Sequence, residues 1–129
     1  MIDYGFIKEV DKGFEQAVDE VTKALEKAGF GVLTTINVKE KFKQKLGIDF
    51  KKYVILGACN PANARQAIEA EENIGLMLPC NVIVYEKNGR VIVAAIKPTA
   101  AMQMIDNPQL GTIAAEVEAQ LKRVIDSLQ

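Results

Sequence analysis

Apolar residues at Phe14, Ala17, Val18, Val21, Leu25 and Ala28 recur every three or four positions, a spacing that predicts an amphipathic helix with one buried stripe. Asp11 is the expected cap of this helix, and Gly29 its left-handed stop. Tyr4–Val10 alternates loosely, and Phe30–Ile36 is a β-branched and aromatic run, so a predicted strand stands on each side of the helix. Asn37 with Glu40 three residues on resembles a capping box for a short helix through Leu46, with Phe42 and Leu46 facing inward and Gly47 ending it. Lys39, Lys41, Lys43 and Lys45 surround that helix as a solvated face.

The second half of the chain repeats this grammar. Tyr53–Ala58 is an apolar run of strand length, expected in the interior of a sheet. Asn60-Pro61 then starts a helix, because asparagine caps free amides and proline tolerates the first helical position. That helix is predicted to reach about Glu71. Brief strands follow at Ile74–Leu78, Asn81–Tyr85 and Arg90–Ile96, the last two joined by Asn88-Gly89, a dipeptide favoured in type I′ hairpin turns. After Pro98 and a short methionine-containing segment, Asn107-Pro108 repeats the cap device. A last helix follows, with Leu110, Ile113, Ala114, Val117, Leu121, Val124, Ile125 and Leu128 inward. The order β-α-β-(α)-β-α-β-β-β-(α)-α predicts an α+β fold, a mainly antiparallel sheet backed by helices. Gly29-Phe30-Gly31 precedes a strand, the wrong context for a dinucleotide-binding loop.

A chain of 129 residues suits one core, so residues 1–129 are expected to form a single domain. Sixteen basic against 17 acidic side chains leave a net charge of -1, with no electrostatic reason to expect nucleic acid or anionic lipid as a partner. Asp3, Lys8 and Glu9 interrupt any signal-peptide core, and Pro79 and Asn81 break the longest low-charge stretch, Asn73–Tyr85, which is too short to span a bilayer. A cytoplasmic protein is expected, with its two cysteines as thiols rather than a structural disulfide. The chain has no histidine, which removes Ser-His-Asp and Cys-His sites, histidine general bases and histidine-built zinc centres.

Reactive chemistry concentrates at Cys59-Asn60-Pro61 and Cys80-Asn81. Cys59 stands just before a predicted helix start, where free amides and the helix dipole are expected to lower its thiol pKa. Arg65 lies early in the same helix and is a candidate to turn back toward a thiolate or a bound anion, or else to pair with Glu69 one turn later. Cys80 opens a strand and Cys59 closes one, so a sheet can bring both to one rim. Three outcomes stay open: a reversible disulfide, two ligands for a soft metal such as zinc or copper(I), or two unrelated buried thiols. Met77, Met102 and Met104 read as core fillers, and Glu69, Glu71 and Glu72 as a solvated row. Phe50 and Tyr53, flanking Lys51-Lys52, suit either strand packing or the mouth of an apolar pocket.

Gly29-Phe30-Gly31-Val32-Leu33, Ile55-Leu56-Gly57-Ala58-Cys59-Asn60-Pro61, Leu78-Pro79-Cys80-Asn81-Val82 and Asp106-Asn107-Pro108 together resemble the domain-of-unknown-function family numbered 302. The resemblance covers nearly the whole chain. It implies an α+β fold similar to the TATA-binding-protein-like arrangement and a homodimer; it does not imply DNA binding, and it supplies no established catalytic residues. The function is unknown at this point, as are any cofactors and whether the protein is an enzyme. The reading that fits the residues best is a small-ligand or soft-metal binding module using Cys59, Asn60, Arg65, Cys80 and Asn81, with Cys59 and Cys80 the candidate metal ligands. The alternatives are a thiol redox protein or enzyme with Cys59 as nucleophile, and a structural or interaction protein.

Overall fold

The computed structural model describes residues 2–129. Its five strands are β1 (Gly5–Val10), β2 (Gly31–Asn37), β3 (Tyr53–Cys59), β4 (Cys80–Lys87) and β5 (Arg90–Ile96). The helices are α1 (Phe14–Lys27), α2 (Val38–Leu46), α3 (Pro61–Ala70), the short α4 (Pro98–Ala101) and α5 (Pro108–Ser127). One sheet runs β1-β5-β4-β3-β2, antiparallel at every pairing. The α+β fold expected from the pattern is the one observed.

Alternation along the strands decides which side chains meet the helices. The row Phe6, Ala95, Val82, Leu56 crosses four strands in register. Each of the four belongs to, or packs against, the main core with Val21 and Leu25 of α1 and Leu121 and Ile125 of α5. Nineteen buried residues make up this cluster, and every one is apolar, so burial of apolar surface is the dominant stabilising term. Lys8, on the same side of β1, has its ammonium at the end of α5, donating to the carbonyls of Asp126 and Leu128. A cation is favoured at that negative end of the helix.

The local devices mostly act as the sequence predicts. Asn88 and Gly89 both have positive φ, 53° and 77°, as a type I′ turn requires. Asn37, Asn60 and Asn107 each cap a helix, accepting from the backbone N–H of Glu40, Asn63 and Gln109 respectively. Gly29, at φ 89°, closes α1.

Four expectations need correction, the first being Met104, which is 78% exposed rather than a core filler. The helix α1 begins after Gly13 rather than at Asp11, because the Gln16 side chain reaches back to accept from the Gly13 N–H at 3.3 Å. Ile74–Leu78 is not a strand: Glu72–Met77 is a 3-10 turn. Ile74 is buried and Leu76 is exposed, although a strand would place both on one face. Leu46 of α2 points to solvent rather than inward, while Phe42 packs edge-on against Phe50 at 5.0 Å between ring centres.

A second, smaller cluster lies beside the main one. Ala67 of α3, Ile74 of the 3-10 turn and Leu110 of α5 are buried together, with Met77 and Met102 packed against them. Ile113 packs against both clusters, so it marks the seam between them. Asn107 ties the second cluster down by donating to the Ala70 carbonyl at 2.9 Å and the Glu71 carboxylate at 3.3 Å.

Candidate functional site

The end of β3 and the start of β4 come together at this seam. Ala58 is the register partner of Cys80, and the next residue, Cys59, pairs with Gly31 of β2. Consecutive strand residues alternate faces, so the two thiols come from neighbouring strands without forming a directly facing pair. Both are free thiols.

Two close approaches hold this end of the sheet. A Cβ on Gly57 would stand 2.8 Å from Pro79 Cγ and closer still to Thr34 Oγ1, so only glycine fits between β2 and the segment leading into β4. Gly29 makes the other approach. Its left-handed backbone brings the chain from α1 into β2, and the Asn60 amide nitrogen lies 3.4 Å from where a Cβ on Gly29 would be. The family-like words Gly29-Phe30-Gly31 and Gly57-Ala58-Cys59-Asn60 are therefore physically interlocked.

A pocket opens here. Its sheet side is formed by Ala58, Cys59 and Cys80, its α3 side by Asn63, Ala64 and Ala67. The opposite wall is Leu110, Ile113, Ala114 and Val117 of α5, and Pro98 and Met102 contribute from the α4 segment. The cavity volume is about 40 Å³, or about 480 Å³ with the open mouth included. The smaller volume exceeds what a single water needs, roughly 10–15 Å³ by the same kind of measure, and the pocket's walls are chiefly apolar.

The thiols take their electrostatics from those walls. Burial pushes the Cys80 thiol up to about 11, and the nearby Cys59 acts in the same direction. Cys59 is also raised, by burial. The expectation of a lowered Cys59 pKa is thus corrected: burial moves this thiol in the opposite direction, and both thiols keep their protons at neutral pH.

Of the five residues singled out from sequence, Cys59, Asn60 and Cys80 line the pocket. Arg65 does not: its side chain is 82% exposed and pairs with Glu69 at 2.8 Å, the alternative foreseen for it. Asn81 is exposed and sits opposite Gly57 on β4, outside the lining. No group of three or more His, Cys, Asp or Glu able to hold a metal occurs among the described residues, so nearby carboxylates do not complete a site around the two thiols. Sequence reasoning missed the α5 wall. The available signal was a run of small residues facing the core, Ala64, Ala67 and Ala114, which leave space where larger side chains would fill it.

Residues 6–128 match the family described as "Domain of unknown function DUF302". The chain belongs to that family. A crystal structure of an uncharacterized conserved DUF302 protein from Bacillus stearothermophilus is similar over 98% of each chain, at 33% identity and a TM-score of 0.91. No curated protein matches the chain. The Cys-Asn blocks of this DUF302 chain thus lie in a matched fold for which no specific function is established.

Proposed function

We propose that this DUF302 chain is a cytoplasmic binding module for a small, neutral, apolar molecule held in the pocket between Cys59, Cys80 and the facing walls of α3 and α5. The observation that carries the reading is the pocket itself: an apolar cleft at the seam of two core clusters, with a few polar groups at its edge. Binding sites are commonly built this way, with apolar walls for affinity and few polar atoms for orientation. Protonated thiols suit such a ligand, since each is a weakly polar, polarizable wall group. The same raised pKa values weaken the redox-nucleophile and soft-metal alternatives, both of which use the thiolate.

A titration with benzene and with indole, followed by amide chemical shifts on the reduced protein, tests this. Saturable shifts are expected at Cys59, Asn63 and Cys80. They should disappear in Ala64→Phe, whose ring would occupy the pocket, and persist in Arg65→Ala. Shifts confined to other surfaces, or none that saturate, would defeat the proposal. A stoichiometric copper(I) or zinc ion in native mass spectra, lost in Cys59→Ser and Cys80→Ser, would favour the metal reading instead.

A further inference from the structure

The pocket is smaller than a ring-sized ligand requires. An apolar cavity that holds benzene measures roughly 150 Å³, whereas the volume here is about 40 Å³ until the open mouth is counted. A ring is enclosed only if one wall gives. Strands β3 and β4 are interior to the sheet, laddered on both sides, and α3 and α5 are helices of 10 and 20 residues. The remaining wall is the strap between β5 and α5, which supplies Pro98 and Met102. It consists of the four-residue α4 and a three-residue 3-10 turn, Met102–Met104.

The strap is fixed at its ends and sparsely held between them. At one end the Lys97 N–H donates to the Tyr4 carbonyl at 2.8 Å, and at the other Asn107 is bonded to Ala70 and Glu71. Among the described residues, the hydrogen bonds of residues 98–106 otherwise stay within the strap and its two end residues, with one exception. The Thr99 N–H, at 3.1 Å, and the Thr99 hydroxyl, at 2.6 Å, both donate to one carboxylate oxygen of Glu118 on α5. The residue before α4, Lys97, provides no side-chain cap, so this carboxylate satisfies the start of α4 from another element. Pro98 is the only fully buried residue of 98–106, and Met104 stands in solvent. Low burial and few bonds mark segments that open locally at less cost than the whole fold.

We infer that residues 99–104 are the gate of the pocket, hinged at the buried Pro98 and latched by the Glu118 carboxylate on Thr99. Opening withdraws Met102 from the wall and widens the cavity. Closing returns its flexible, polarizable side chain to the lining, where it adapts to the shape of the occupant. The gate's purpose rests on the reading of this pocket as a ligand site, but the latch can be tested without a ligand.

Alkylation of Cys80 by iodoacetamide at mildly alkaline pH reads the opening, because this thiol shares a lining with Met102. Peptide mass spectra separate its labelling from that of Cys59. Glu118→Ala should speed Cys80 labelling about tenfold, the order set by losing a hydrogen bond to a charged group. Glu118→Gln keeps an acceptor oxygen and should stay close to wild type. Low concentrations of urea should leave these rates unchanged, since a local opening exposes little surface. If Glu118→Ala does not fold, Thr99→Ala decides the matter; it removes only the hydroxyl and should give a smaller rise. Labelling that is equally slow in wild type and the latch variants would overturn the inference, as would rates that climb with urea along the slope of global unfolding. Benzene line shapes on the same proteins separate the two claims. Faster exchange of bound benzene in Glu118→Ala supports both, and unchanged exchange would overturn the gate. Cys80 labelling that follows the latch while benzene fails to bind would support the gate and defeat the binding reading.

Discussion

Replacing Gly57 by alanine tests whether the site depends on the contact between β2, β3 and the Pro79 segment. The new Cβ would stand 2.8 Å from Pro79 Cγ and in closer conflict with Thr34 Oγ1. Overpacking of a buried position costs about 1–3 kcal/mol. Alanine also restricts the unfolded chain, which returns about 0.4–1 kcal/mol because this glycine needs no left-handed backbone. The expected net loss is about 1–2 kcal/mol. Thr34→Ala should relieve the Thr34 share of it, since with the hydroxyl gone the next Thr34 atom, Cβ, lies 3.6 Å away in ordinary contact, while the Pro79 Cγ contact at 2.8 Å remains. Thr34 is exposed, so its own substitution should change stability by less than about 0.5 kcal/mol. Urea unfolding of the four proteins, at a common slope, gives the coupling, expected at about 1 kcal/mol in the stabilising direction. A Gly57→Ala protein as stable as wild type, or strictly additive losses in the double variant, would show that no close contact between Gly57 and Thr34 limits this position.

Further expectations concern the thiol, the clasp and the exposed arginine. The Cys80 thiol titrates at about 11 when folded against 9.0 as its ordinary value, so the folded state holds the proton more tightly. That contribution is fully present below pH 9 and is lost as pH rises from 9 through 11. The wild type should lose about 2–3 kcal/mol more than Cys80→Ala over this window, measured by unfolding at each pH. Asn107→Ala removes a helix cap together with the bonds to Ala70 and Glu71, and should cost about 2 kcal/mol, more than the roughly 1 kcal/mol of a simple cap; thermal unfolding reads the difference. Arg65→Ala should leave both the unfolding midpoint and pocket binding unchanged, because the side chain faces solvent with Glu69.

What the sequence disclosed follows the range of the forces involved. Asn88-Gly89 and the caps at Asn37, Asn60 and Asn107 act within three residues of themselves, so their chemistry is legible locally. The helical stripes of α1 and α5 are equally plain, because each long helix must bury one face. Ile74–Leu78 misleads because a short apolar run fits either a strand or a turn whose anchor is buried elsewhere; Ile74 finds its partners in Ala67 and Leu110. The direction of the Cys59 shift is hidden for the same reason. It depends on an apolar lining that includes Leu110, Ile113, Ala114 and Val117, about fifty residues away in the chain, whereas the helix start that argues for the opposite direction is adjacent.

The pocket's role as a binding site is tested most directly by a crystal of the reduced protein held under xenon pressure. Xenon reports enterable apolar space without needing a matching polar group. A xenon peak is expected between Cys80, Ala64 and Ala114, absent in Ala64→Phe. Xenon bound only elsewhere, with the Cys59–Cys80 pocket closed and empty, would contradict it.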